Sequence, residues 1–160
     1  MRTGTVLSIY IAPSGKEPMQ PVAEVRAVLG KGLEGDRYFR GCGTWSPDPR
    51  NGRHVTLIES EALEAIKVES GIELAPGASR RNVVTRGVSL NHLVGCEFRI
   101  GQAVLRGMRL CEPCKHLEAA TQAGVSSALM HRAGPRTEVV KEGVIRVGDS
   151  IEETPGSGGA

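Results

Sequence analysis

Aromatic side chains are scarce: the chain has one Trp, two Tyr and two Phe in 160 residues. So few rings exclude a base-stacking platform, which single-strand nucleic-acid modules build from Phe, Tyr and Trp. Charge of one sign is lacking too, with 20 basic against 18 acidic residues and a net charge of +2. No basic run exceeds Arg80-Arg81, so the electrostatic footprint of a duplex binder is missing. Long apolar runs are absent. The stretch from Val6 to Ala12 is broken by Ser8 and Tyr10 and stops at Pro13, too short and polar for a signal peptide or a membrane span. The expectation is a cytoplasmic protein that binds neither nucleic acid nor membrane. In that compartment thiols stay reduced. The four cysteines, Cys42, Cys96, Cys111 and Cys114, then read as free, metal-binding or reactive thiols rather than disulfides. The GxSxG, P-loop and HExxH patterns are also absent, which removes the enzyme classes they mark.

Glycine is abundant, at 21 residues, near twice the usual share of about 7%. Tight turns and positive-φ corners follow. The pattern predicts strands over 3–12 and 22–29 as a hairpin with a long turn. A loop-like stretch from Gly30 to Arg53 comes next, then a short strand at 54–58. The 59–69 segment carries Ala62, Leu63, Ala65 and Ile66 on a helical face, with Gly71 as its stop. Glu59 and Glu61 fall in its first turn, where the helix dipole favours them. Short strands follow at 82–85, 96–100 and 103–110, then short helices at 115–122 and 125–132. A strand–turn–strand unit closes the chain at 137–151. Many short strands with two or three small helices predict a mainly β, barrel-like domain over 1–153. The Gly/Ser-rich end, 154–160, reads as a flexible tail.

The most specific chemical feature is Arg109-Leu110-Cys111-Glu112-Pro113-Cys114-Lys115-His116. A thiol acts as nucleophile or soft-metal ligand only as thiolate, and nearby cations lower its pKa. Pro113 suits the first turn of a helix, which would put Cys114 near the helix start. Two buried, inert thiols are the bland alternative. A zinc site would need Cys42, Cys96, His92 or His116 to complete the set, and no second CxxC or HxxxH exists. Lys115 breaks a haem-attachment CxxCH, and the late position in a β-rich chain argues against a thioredoxin-like pair. Two further features are the loop Gly32-Leu33-Glu34-Gly35-Asp36-Arg37-Tyr38 and the run Arg80-Arg81-Asn82-Val83-Val84-Thr85-Arg86. Arginines of the second offer forked donors suited to phosphate. A Gly turn and a solvated charged face are the respective bland readings.

These pieces, in order, resemble the MOSC domain family, named for the C-terminal domain of molybdenum cofactor sulfurases. They are GLEGDRY at 32–38, RHVTLIESEAL at 53–63, GIELAPGASRRNVVTRGVSL at 71–90, VGCEFRIGQAVLRGMRLCEPC at 94–114 and EGVIRVGDSI at 142–151. The resemblance implies a barrel-like fold with glycines 32, 35, 95, 101 and 148 at its corners. It implies handling of the molybdenum–pterin cofactor or its sulfur. Cys114 matches the family cysteine, which ligates molybdenum in reductase relatives and is thought to carry persulfide in sulfurases. Cys111 matches a less regular companion. Asp36 and Arg37 match the family's Gly-Asp-Arg, and Asn82 its Asn near the pocket. The implied cofactor contacts are Asp36, Arg37, Arg81, Asn82, Arg109 and Lys115, with Cys114 as the metal ligand. Arg81 departs from the family, whose members often have Gly-Glu-Asn there, and changes the pocket charge.

The chain lacks the N-terminal barrel partner of the larger reductases and the desulfurase domain of the sulfurases. Pyridoxal phosphate belongs to that desulfurase, and no Lys here sits in a Schiff-base context, so this chain is not expected to bind it. The implied partners are a cysteine desulfurase or a molybdoenzyme. Three functions stay open: a cofactor-binding or sulfur-carrying domain, a zinc-binding or docking domain without catalysis, and a small molybdenum-dependent reductase of N-hydroxylated compounds.

Overall fold

The computed structural model describes residues 3–44, 46, 54–113 and 115–155, without the side chains of Pro76, Lys115 and His116. Eleven strands and three short helices are seen among them. The strands are β1 (Thr3–Ile11), β2 (Gln20–Val22), β3 (Glu24–Val28), β4 (Gly32–Leu33), β5 (Val55–Glu59), β6 (Val83–Arg86), β7 (Glu97–Ile100), β8 (Ala103–Leu110), β9 (Pro135–Lys141), β10 (Gly143–Arg146) and β11 (Ser150–Glu153). The helices are α1 (Ser60–Ser70), α2 (Lys115–Ala120) and α3 (Val125–Ala128). Seven strands run in the order β11-β7-β8-β9-β5-β6-β1, and β1 pairs back onto β11 to close a barrel. The mainly β barrel with short helices is as the sequence predicts.

Burial on both sides explains why β5 and β6 read as continuous apolar runs. Leu57 and Val83 point inward, with Val6, Ile9, Phe98, Ile100, Leu105 and Ile151. Their neighbours Ile58 and Val84 point outward, onto Ala62 and Ile66 of α1 and onto Leu117, Val125 and Leu129. The two strands are parallel, and a parallel pair needs a crossover. Helix α1 supplies it, ending at Gly71, which adopts φ 69 and donates its N–H to Lys67 O. The acids at the helix start also meet backbone donors: Glu59 Oε2 accepts from Leu90 N–H (3.0 Å) and Glu61 Oε2 from Gly87 N–H (2.8 Å). The five glycines 32, 35, 95, 101 and 148 all have positive φ.

Two local expectations need correction. The 3–12 and 22–29 strands do not form one hairpin. Only Gln20–Val22 pairs with β1. At Ala23 the carbonyl accepts from Val147 N–H (3.0 Å), and β3 leaves to pair with β10 in a second sheet, β10-β3-β4. The closing strand–turn–strand unit likewise splits. Both edges of β9 are already taken, by β8 and β5, so β10 must find its partner elsewhere. Among its described residues the loop-like 30–53 stretch contains one short strand, β4, and α2 and α3 are shorter than the periodicity suggested.

His54 stands where the chain enters β5. Its N–H donates to Thr137 O (3.1 Å), and its Nδ1 accepts from Val139 N–H (3.1 Å). Burial lowers its pKa from the ordinary 6.5, against a smaller upward pull from Glu138. The folded state therefore binds fewer protons than the unfolded one. The stability so conferred is present above the unfolded pKa and is lost as pH falls below it. The urea midpoint of the wild type is expected to drop more steeply than that of His54→Gln between about pH 7 and about pH 5. Equal slopes would refute this assignment.

Candidate functional site

Asp36 is fully buried. Its Oδ1 accepts from Ala12 N–H (3.1 Å) and from Arg37 Nη1 (2.9 Å), and its Oδ2 from Tyr38 N–H (3.4 Å). Arg37 is 4% exposed. It reaches on from Asp36 to the Arg80 carbonyl through Nη2 (3.0 Å) and to the Met19 sulfur through Nη1 (3.2 Å). Arg80 sits at φ 59 and donates to the Glu17 and Gly15 carbonyls. Asp36 thus orders Arg37, and Arg37 ties the strand-linking turn at 76–80 to the N-terminal loops.

Asn82 is fully buried at the entrance to β6. Its Oδ1 accepts from the Thr56 N–H (3.1 Å) and hydroxyl (3.3 Å), and its Nδ2 donates to Tyr10 O (3.0 Å). One amide therefore joins β5, β6 and β1. Arg81, 8% exposed, donates through Nε to Ala133 O (2.9 Å), through Nη2 to Cys111 O (2.8 Å) and through Nη1 to Ser79 O (3.4 Å). Three carbonyls from three segments converge on one planar fork, a geometry an ammonium cannot reproduce.

The thiol segment is fastened from both sides. Cys111 is buried and reduced. Its N–H donates to Gly134 O (2.6 Å), opposite the Arg81 contact on its carbonyl. Glu112 accepts from His131 N–H (2.8 Å) through Oε1 and meets His131 Nδ1 through Oε2 (2.6 Å). Cys114 lies outside the described residues, as does the Lys115 side chain. The remaining thiols are engaged elsewhere. Buried Cys96 donates to His92 O (3.7 Å), and exposed Cys42 to Pro13 O (3.1 Å). Among the described residues no group of three or more His, Cys, Asp or Glu side chains is placed to hold a metal ion.

Strand register reveals a residue that sequence reasoning missed. Arg109 on β8 stands directly opposite Arg136 on β9, and Arg136 directly opposite Thr56 on β5. Directly opposite residues share a face, and Thr56 is the partner of Asn82. Arg109, Arg136, Thr56 and Asn82 therefore form a row across the outer side of the barrel, since Val55 and Leu57 flanking Thr56 point inward. The row adjoins the thiol segment, because Arg109 precedes Cys111 by two residues and Arg136 follows its acceptor Gly134 by two. Nε and Nη1 of Arg136 are enclosed and have no hydrogen-bond partner among the described residues. A buried donor left so costs about 1–3 kcal/mol, more when charged. In sequence Arg136 is one arginine in an alternating strand, and only the register marks it. A cleft of about 540 Å³ between α1 and β1 holds neither arginine nor cysteine; Leu7, Tyr10, Leu63 and Leu74 line its apolar walls.

A closed seven-stranded barrel with an arginine row on its outer face, leading on β8 into the segment of buried Cys111, defines a small thiol-bearing β-barrel domain. A family model of the MOSC domain matches residues 48–152, and the chain belongs to that family. Solved structures share the fold. The YuaD protein of Bacillus subtilis superposes with a TM-score of 0.77 at 20% identity, over 94% of this chain and 95% of that one. YiiM from Geobacillus stearothermophilus gives 0.73 at 18% identity, over 97% and 78%. YiiM from Escherichia coli gives 0.69 at 22%, over 96% and 70%. No curated protein sequence matches the chain significantly. Among the described residues no helix is long and apolar enough to cross a membrane.

Proposed function

We propose that the chain binds the molybdenum–pterin cofactor, with Cys114 as the soft metal ligand and the outer arginine row holding the cofactor's anionic phosphate. The observation that carries this reading is that two guanidinium nitrogens of half-buried Arg136, Nε and Nη1, are enclosed without an acceptor among the described residues, beside the thiol segment. Guanidinium donors without an acceptor suit an anionic ligand. Arg109 and Lys115 add positive charge, which also favours the thiolate form of Cys114. Thiolate is the donor type that a soft metal selects. Arg81, Asn82 and the Asp36–Arg37 pair position the segments around that site through the backbone contacts described above. When bound, the cofactor would supply a redox-active metal centre. Protein offered the free cofactor is expected to take up molybdenum and pterin together, and Cys114→Ser to lose most of the metal. Wild-type protein that retains neither sinks the reading.

A second role is favoured by the burial of Cys111, which leaves Cys114 as the thiol for group transfer. The Cys114 thiolate would attack the outer sulfur of a donor persulfide. The donor's S–S bond breaks, its inner sulfur leaves as a thiolate with the electron pair, and Cys114 becomes the persulfide. A cysteine desulfurase is the matching donor and a molybdoenzyme the matching acceptor. Incubation with desulfurase and cysteine is expected to add one sulfur to the protein mass. That gain should persist in Cys111→Ser and vanish in Cys114→Ser. An unchanged wild-type mass counts against this role.

A further inference from the structure

We infer that the cleft between α1 and β1 is a binding site for a small amphipathic amine, an aromatic or branched aliphatic body carrying an ammonium head. The site uses neither the thiol segment nor the arginine row, so it stands or falls apart from the cofactor reading.

An irregularity in β1 makes the cleft. Val6 pairs with Thr85 of β6 and Ser8 with Val84, so Leu7 is an extra residue in the ladder. Strict alternation from inward Val6 would turn Ser8 into the barrel and Ile9 out of it. Instead Ile9 joins Val6 inside, and Leu7 and Ser8 both line the cleft outside. Bulges of this kind re-aim side chains and recur beside functional sites. Leu7 stays 41% exposed, and among the described residues it is the one large apolar side chain of a barrel strand left so. Leu63 of α1 and Leu74 beyond its end form the facing wall, and Val84 lies between. Tyr10 adds an aromatic surface that is held in place. Its N–H donates to Asn82 O (2.7 Å), and its carbonyl accepts from Asn82 Nδ2 (3.0 Å). Its ring lies so close to Gly77 that a Cβ there would meet it at 3.1 Å. The cleft is therefore preformed. Its volume of about 540 Å³ falls within the roughly 300–1,000 Å³ of small-molecule sites, which set a few polar groups among apolar walls.

The charges at the cleft select the head group. Two carboxylates, Glu64 and Glu73, line it against one ammonium, Lys67. Glu73 Oε1 holds Lys67 (2.8 Å). Glu64 Oε1 holds Arg86 (2.8 Å), which stands outside the lining and also donates to Ser60 Oγ (3.2 Å). Each acid thus engages its partner through one oxygen and keeps the other for an incoming donor. Both pairs are exposed, and exposed pairs are weak, so a ligand ammonium can share or replace Lys67 on Glu73. A carboxylate head would meet two acids. Burial of the apolar body supplies affinity, and the head's charge supplies selectivity.

The test is amide-correlation NMR of the full chain near neutral pH, titrated with phenethylamine, phenethyl alcohol and phenylpropionate, three heads on one ring. Phenethylamine is expected to shift the amides of Leu7, Ser8 and Ala75 saturably, and to bind more tightly than the alcohol, with phenylpropionate weakest. Glu73→Gln should weaken the amine about two- to fivefold, the range an exposed ion pair allows, and leave the alcohol unchanged. Glu73→Lys should reverse the order of amine and phenylpropionate. The Glu73 side chain is 75% exposed, so neither variant threatens the fold. Glu97→Gln, which removes the same charge on distant β7, should match wild type. No saturable shift at the cleft, an amine no tighter than the other two probes, or an order that survives Glu73→Lys overturns the site.

Discussion

Gly134→Ala is expected to leave little folded protein. The residue sits at φ 82, a conformation that L side chains rarely adopt. Strain is the smaller problem. A Cβ built there falls inside the van der Waals shell of the Leu57 carbonyl oxygen, with Ile58 Cα close behind. Both atoms belong to the backbone of β5, which is hydrogen-bonded to β6 and β9, so neither can move alone. Gly134 must also keep its carbonyl on Cys111 N–H. Moving the turn away from β5 would drag the thiol segment with it. The loss should exceed about 4 kcal/mol, against a total stability of about 5–15 kcal/mol for a domain. Denaturant unfolding read by far-UV circular dichroism tests this. A variant that unfolds within about 1 kcal/mol of wild type would show that the turn can slide.

The second large effect lies at Asp36. Asp36→Ala removes the carboxylate that neutralises Arg37, whose side chain stays only 5% exposed. It also strips acceptors from the Ala12 and Tyr38 N–H groups. Breaking one partner of a buried pair costs about 3–5 kcal/mol, chiefly because the other charge is stranded. That account makes a sharper claim than simple destabilisation. Arg37→Met alone and Asp36→Ala alone should each be severe, while the double variant should lose clearly less than their sum. Strict additivity would show that the stranded charge is not the cause.

Much of the architecture was legible because period-2 alternation and glycine corners mark short strands well. Leu57-Ile58 and Val83-Val84 show where that legibility stops. Each dipeptide is plainly apolar, yet nothing local says that one member enters the barrel and the other supports helices. The fate of β3 was hidden for a similar reason, since its partner β10 lies more than a hundred residues away. At the site, residue type exposed the arginines and the buried Asn, but not their commitments. Arg81 and Asn82 look like ligand donors in sequence, and in the structure their side chains hydrogen-bond to backbone groups and to the Thr56 hydroxyl. Arg136 had no signal at all, because its singularity comes from the residue opposite, which only register supplies. Cys114, on which the thiol chemistry rests, lies outside the described residues.

Barrel closure has a kinetic consequence. The seam joins Thr3–Thr5 to Ser150–Glu152, so its contacts have nearly the largest sequence separation this chain allows. Folding dominated by such contacts is slow, on the order of milliseconds to seconds. During synthesis β1 emerges first and must wait for β11. Until then β1 and β7 each present an open edge, the template on which a second nascent chain can pair. Misassembly during expression should therefore involve strand exchange at this seam. A circular permutant that joins the two seam strands through a short turn should fold faster than the native order.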